Sequence, residues 1–157
     1  MRTKADIQRE ARAILSEYVE QYPVLRNMPI RVSGRMTRAG GSARFRHGKP
    51  FEIVISLPFF ADEANDLRRT VTHEAAHVVA GIDAGHGPAW RSVHRSMGGD
   101  ASRTHSMSLA QGFEARRNVG RVDVPCPKCG QPMSLGPVQA KRHRAGKAKY
   151  SHSRCPR

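Results

Sequence analysis

With 157 residues, the chain has room for one compact domain of ordinary size and a small appendage. Its 27 Lys and Arg against 13 Asp and Glu give a formal net charge of +14, far from the mixed surface of an ordinary soluble enzyme, and point to a polyanionic partner. No run of about 18 apolar residues occurs, and the opening "MRTKADIQRE" has no apolar signal core, so no membrane span is expected and the expected location is cytoplasmic. Three cysteines cannot pair completely, which argues against a secreted disulfide framework and leaves metal binding as their better use.

From Thr3 to about Tyr22, residues Ile7, Ala11, Ile14, Leu15, Tyr18 and Val19 form a helical stripe; Thr3 with Asp6 suits its capped start, and Pro23 its end. The runs "IRVS", "ARFR" and "FEIVIS", separated by "RAGGS" and "HGKP", predict a small antiparallel sheet. A second helix is expected from about Ala64 to Gly81, with Leu67, Val71, Ala75, Val78 and Ile82 as its buried stripe. At about 100° per residue, His73 and His77 point roughly 140° away from the middle of that stripe, so they are not core histidines of this helix. After "DAGHGP", Pro88 suits the first position of a third helix with Trp90, Val93, His94 and Met97 on one face, stopping at Gly98-Gly99. Past about Gly112 the chain becomes rich in Gly and Pro, and residues 111–157 hold 11 Lys and Arg against 2 Asp and Glu. A core this poor needs a metal to hold it, so a domain over 1–112 and a basic module over 113–157 are expected.

The chemistry concentrates in "THEAAHVVAGIDAGHGPAW". His73-Glu74-Ala75-Ala76-His77 places two imidazoles one helical turn apart, within reach of one zinc ion, and Glu74 beside them as a general base rather than a ligand. A catalytic zinc needs a third protein ligand and one open position. Metzincin spacing would demand histidine at position 83, where this chain has Asp83, and the glutamate that gluzincins use is missing between Glu74 and Glu114. His86 is the favoured third ligand, because the glycines around it let the backbone reverse toward the histidine pair; Asp83 is the alternative. His94 is read as packed on the third helix and His47 as a turn residue.

"HEAAH", "GHGPAW" and "SMGGDASRTH", in that order, resemble the SprT/Spartan family of zinc metalloproteases, as do "RMTRAGGSARFR" and "FEIVISLPFF" upstream. The resemblance covers roughly residues 5–110 for the protease-like domain and 122–155 for a ribbon. It implies an α+β, zincin-like domain with His73, His77 and His86 as ligands, Glu74 as the base, and a narrow, partly shielded cleft. His105 matches a histidine of the bacterial members, without a physical role that the residues themselves suggest.

Nearer the C-terminus, Cys126-Pro-Lys-Cys129 and His152-Ser-Arg-Cys155 make a closed four-ligand set for a structural zinc, with His143 the competing ligand. The SprT-like pattern often carries a ribbon of two CxxC pairs here; this chain has His152 where the third cysteine would stand. Between the knuckles, Lys141, Arg142, Arg144, Lys147 and Lys149 are read as a loop held at both ends, able to lie along a phosphate backbone. Together these features predict a monomeric zinc metalloendopeptidase with two zinc ions per chain, acting on DNA-associated or DNA-crosslinked proteins and sitting at the nucleoid when DNA-bound. The competing expectations are a non-catalytic zinc protein that binds nucleic acid, and a protease acting on a specific regulator without DNA.

Overall fold

The structure, a computed structural model, describes residues 1–104, 106–113, 120–153 and 155. His105 lies outside the described residues. The chain divides into two compact units, Met1–Gln111 and Gly112–Arg157.

In the first unit, helix α1 (Lys4–Ser16) begins at Thr3, whose hydroxyl accepts from the Asp6 N–H while the Asp6 carboxylate accepts from the Thr3 N–H at 2.9 Å. This reciprocal cap satisfies two donors that the helix cannot, a contribution of about 1 kcal/mol. Ile7, Ala11, Ile14 and Leu15 are buried as the stripe requires, but the helix ends at Ser16, six residues before the expected Tyr22. Tyr18 and Tyr22 serve a different purpose: Tyr18 Oη donates to the Met97 carbonyl at 3.0 Å, and Tyr22 Oη lies 2.6 Å from Ser96 Oγ. Turning out of the helix lets both phenols keep a polar tip satisfied while their rings stay half-buried.

Three strands follow: β1 (Ile30–Ser33), β2 (Gly41–Arg46) and β3 (Lys49–Ser56), in the order β1-β3-β2. β2 and β3 form an antiparallel hairpin whose turn residues His47 and Gly48 have φ of 50° and 75°. β1 runs parallel to β3, with Ile30 opposite Ile53, so the sheet is mixed rather than wholly antiparallel. The reason lies in β3: Ile53, Val54 and Ile55 are all fully buried, which puts this strand at the centre. Its hairpin partner holds one side, only the other is left for β1, and β2 becomes an edge.

A short helix α2 (Leu57–Phe60) continues directly from β3 and buries Phe59 and Phe60. "LPFF" merely prolongs an apolar run, so periodicity does not separate it from the strand. Helix α3 (Leu67–Ala80) starts at Asp66, whose side chain accepts from the Arg69 N–H, and ends at Gly81 with φ 87°. It packs on α1, β2 and the next helix α4 (Pro88–Ser96), so burial extends beyond the predicted stripe to Thr70, Thr72, His73, Glu74 and Ala76. Ile82, expected at the end of that stripe, is instead 53% exposed, because α3 has already stopped. α4 buries Trp90 and His94, with Met97 just beyond its end, as its expected face requires. Among the described residues no helix is long and apolar enough to cross a membrane.

The second unit contains a two-stranded antiparallel ribbon, β4 (Val122–Pro125) with β5 (Pro132–Leu135), and a helix α5 (Pro137–Arg144). Its buried apolar side chains among the described residues are Cys126, Leu135 and Ala140.

Candidate metal centres

His73 and His77 project from consecutive turns of α3, and His86 returns to them through a turn in which Gly85 has φ 49° and ψ −128°, a backbone that side chains resist. The Gly87 N–H closes this turn on the Ala84 carbonyl at 2.8 Å. As a result His86 Nε2 lies 3.1 Å from His73 Nε2 and 3.2 Å from His77 Nε2. A neutral imidazole nitrogen can either donate or accept, so His86 Nε2 cannot make good hydrogen bonds to both neighbours. Three nitrogens aimed at one point suit a cation instead. Tetrahedral zinc, with Zn–N of about 2.0–2.1 Å, sets its nitrogens about 3.3 Å apart, close to the spacing found. Asp83 is not among the residues whose donor atoms converge.

The electrostatics agree with that fit. Burial, then the charges of His86 and His94, lowers the pKa of His77 to about 4, which keeps its lone pair free at neutral pH. Burial, followed by Arg103 and Arg91, shifts His86 in the same direction.

Glu74 sits beside this tripod with its side chain buried against β2. Its carboxylate accepts the Ala43 N–H at 2.7 Å, and burial raises its pKa to about 7 although that bond pulls the other way. Room for the carboxylate depends on Gly41, where a Cβ would come within 2.7 Å of Glu74 Cγ and of Thr70 Cγ2. His73, Glu74, His77 and His86 line one open cleft of about 590 Å³, whose opposite wall is Gly41 to Ala43 of the edge strand.

Spacing along the sequence places Trp90 only on the α4 face, yet its ring packs against all three imidazoles. Its ring centroid is 4.6 to 5.4 Å from those of His73, His77 and His86, and Nε1 donates to the His73 carbonyl at 3.3 Å. The only hint was its position four residues after His86, in "GHGPAW". Ala43 and Gly41 carry no chemical signal in sequence; "RAGGS" reads as a plain turn. His94 stacks on Trp90 at 4.7 Å, and His47 lies in the β2–β3 turn, as expected.

In the second unit, Cys126 and Cys129 come from the turn after β4, and His152 and Cys155 from the end of the chain. Cys126 Sγ is 4.0 Å from Cys155 Sγ, and Cys129 Sγ is 3.4 Å from His152 Nδ1. These distances fit the edges of a tetrahedron with Zn–S of about 2.3 Å, roughly 3.8 Å between sulfurs, and exclude a disulfide. Burial opposes ionisation of Cys126, but backbone N–H groups of His152, Lys128 and Cys129 prevail and lower its pKa to about 6, whereas its hydrogen bond to Cys129, burial and the neighbouring Cys126 push Cys155 up to about 11, so without a cation the cluster keeps a proton among its thiols. His143 lies on α5 and is not part of this set.

The basic segment between the knuckles departs from the expected loop. Lys141, Arg142 and Arg144 belong to α5, exposed, with Lys147 and Lys149 following it. Pro137 at the first helical position and Gln139, which accepts the Gly136 N–H at 3.0 Å, start a helix that the charge run concealed.

The SprT-like family model matches residues 9–112. No curated protein and no solved structure matches the chain.

Proposed function

The chain belongs to the SprT-like family, and from this premise we propose that it is a zinc-dependent endopeptidase whose first unit hydrolyses protein substrates. The observation that carries this reading is the convergence of three imidazole nitrogens beside a buried carboxylate, in a cleft open to solvent. His73, His77 and His86 would hold the ion. Zinc bound there supplies the Lewis acidity that makes water a nucleophile at neutral pH. Glu74 would act as the base that accepts a proton from the attacking water and returns it to the departing amine, with the Ala43 N–H fixing the carboxylate for both transfers. β2, as an edge strand, offers an extended peptide a line of main-chain groups to pair with along the cleft. Trp90 holds the imidazoles in register from below.

The second unit, on this reading, carries a structural zinc on Cys126, Cys129, His152 and Cys155, and docks on nucleic acid, DNA in the first instance, through Lys141, Arg142, Arg144, Lys147 and Lys149. What supports this is their exposure and the +9 excess of residues 111–157, and phosphate contacts of this kind give affinity without reading sequence. The substrates proposed are therefore proteins on DNA.

A cleavage assay on a DNA-bound protein, with and without the DNA, tests the whole. Wild type should cleave faster with DNA, and Glu74→Gln should lose about 10²-fold or more in rate while retaining two zinc ions by elemental analysis. Cleavage that survives Glu74→Gln refutes the assigned base. Cleavage indifferent to DNA leaves the protease and removes the anchor, and a wild type that binds zinc and DNA but cuts nothing makes the centre structural.

A further inference from the structure

Beside the tripod a second cavity of about 280 Å³ opens between α3, the approach to β2 and the segment after α4, and its two ends differ in character. The inner wall is apolar. Phe59 is buried there, Met107 is half-buried, and a Cβ at Gly40 would come within 2.7 Å of Met107 Cε, so the glycine keeps the space open. The rim is basic, formed by the exposed Arg38 and Arg103.

His73 and Glu74 line both this cavity and the main cleft, as does Arg103. A side chain entering the cavity is therefore next to the bond presented to Glu74. Among the described residues, Glu74 is the sole acidic residue lining either space, and neither Arg38 nor Arg103 has an ion-pair partner. Arg31, Arg68 and Arg69 elsewhere in the unit are tied to a carboxylate while Arg12, Arg35, Arg91 and Arg95 are not, so what sets Arg38 and Arg103 apart is their shared place at the mouth of this pocket. Two guanidinium groups without an internal partner, at the mouth of an apolar pocket, match a ligand that is apolar at one point and anionic at the next. A peptide can be both; a nucleic acid would need an open aromatic face on which to stack its bases, and Phe59 is buried.

We propose that this cavity sets the cleavage specificity: it takes an apolar side chain, and Arg38 and Arg103 select a carboxylate on the adjoining residue. The preferred substrates are thus acidic segments with an embedded apolar residue. The inference rests on the hydrolytic reading above and names its substrate class. Basic neighbours are disfavoured by repulsion, so selectivity has an attractive and a repulsive part.

The test uses the full-length zinc protein and matched internally quenched peptides in which leucine is followed by Glu, Gln or Lys. A further pair ends at leucine with a free or an amidated carboxyl group, which separates an acidic side chain from a chain terminus as the source of the carboxylate. Wild type should rank Glu above Gln above Lys in kcat/KM, with about tenfold between the extremes, narrowing at high salt. The double variant Arg38→Glu, Arg103→Glu should reverse the ranking while keeping two zinc ions, which shows that it has folded. Preference for the free over the amidated terminus supports the same pocket with a terminal carboxylate. Equal cleavage of the three peptides by wild type, or an unaltered ranking in the double variant, overturns the proposal and leaves the protease reading intact. If wild type cleaves no peptide, the hydrolytic reading is what has failed, and the ranking is then read as binding of the labelled peptides to the Glu74→Gln protein by fluorescence anisotropy. Indifferent binding there overturns the specificity proposal as well. So does an oligonucleotide whose binding, unlike that of the peptides, is lost in the double variant.

Discussion

Both donor clusters bring their ligand atoms within 4.8 Å of one another, yet the polypeptide around them is of two kinds. The histidine centre rests on a unit with its own core, in which Ile7, Leu15, Leu25, Ile53, Ile55, Phe60 and Trp90 are almost wholly buried. The cysteine centre belongs to a unit whose described core is Cys126, Leu135 and Ala140, one of which is itself a ligand. In the first unit, packing builds the site without help from an ion. In the second, so little apolar area is removed from water that a bound ion would have to replace the packing.

The largest expected effect follows from that contrast. Cys126→Ser, or chelation strong enough to strip both centres, should abolish the fold of residues 120–153, since a structural zinc contributes on the order of 10 kcal/mol to such a module. Hydrogen exchange on the full chain should show α5 and the ribbon losing protection while α1 and α3 keep theirs. Concerted loss in both units would mean that the first unit also depends on its metal.

A smaller effect concerns Glu74 once the first centre is stripped. Its pKa of about 7 lies above the unfolded value of 4.5, so between these two the folded state holds the extra proton. Stability from this group is present below pH 4.5 and is lost as pH rises through 7, by on the order of 3 kcal/mol in full. His77, lowered to about 4, contributes the opposite slope between pH 4 and 6.5, so the comparison must be made against a variant. Urea titrations of stripped wild type and Glu74→Gln should diverge from pH 5 to pH 7 and level off by pH 8, with the variant the more stable at pH 8. Parallel curves would show that the carboxylate finds water or a cation there.

Gly41→Ala should cost about 1–3 kcal/mol in the first unit, because the added methyl meets Glu74 and Thr70 and one of them must move. Hydrolysis should fall by about 10²-fold through misplacement of the carboxylate, with the zinc content unchanged. A variant as active as wild type would show that Glu74 does not need its present position. The smallest effect is expected of Trp90→Phe, which keeps a ring against the imidazoles but removes the N–H donated to the His73 carbonyl, a loss of about 1 kcal/mol. Chelator competition should show zinc at the histidine centre weakened about tenfold and zinc at the cysteine centre unaltered.

Much of the histidine centre was legible because its signals are local. His73 and His77 share a helix face by spacing alone, and the glycines flanking His86 announce a reversal. Helix starts were readable at Thr3 and Pro88, but not at Asp66, which caps α3 past the expected Ala64, nor at Pro137. Ends were less so: α1 stops at Ser16 because Tyr18 and Tyr22 find partners in Met97 and Ser96, some 75 to 80 residues away. The parallel placement of β1 and the helix in the basic segment depended in the same way on what surrounds them.

By itself the sequence determined the His73–His77 pair and the Cys126–Cys129 knuckle, since these are set by spacing along one helix or one turn, while His86 over Asp83 and His152 over His143 were decided by the fold. It also determined the composition of two modules, one able to bury a core and one not. Only the tertiary structure decided what the donors face. It laid β2 along the cleft so that Ala43 could bind Glu74, slid Trp90 under three imidazoles, and left Arg38 and Arg103 around an apolar pocket. Ala43 is 31 residues from Glu74, and Trp90 is 17 and 13 residues from His73 and His77, though only four from His86. No periodicity links residues at such separations, and packing of the whole unit is what brings them together.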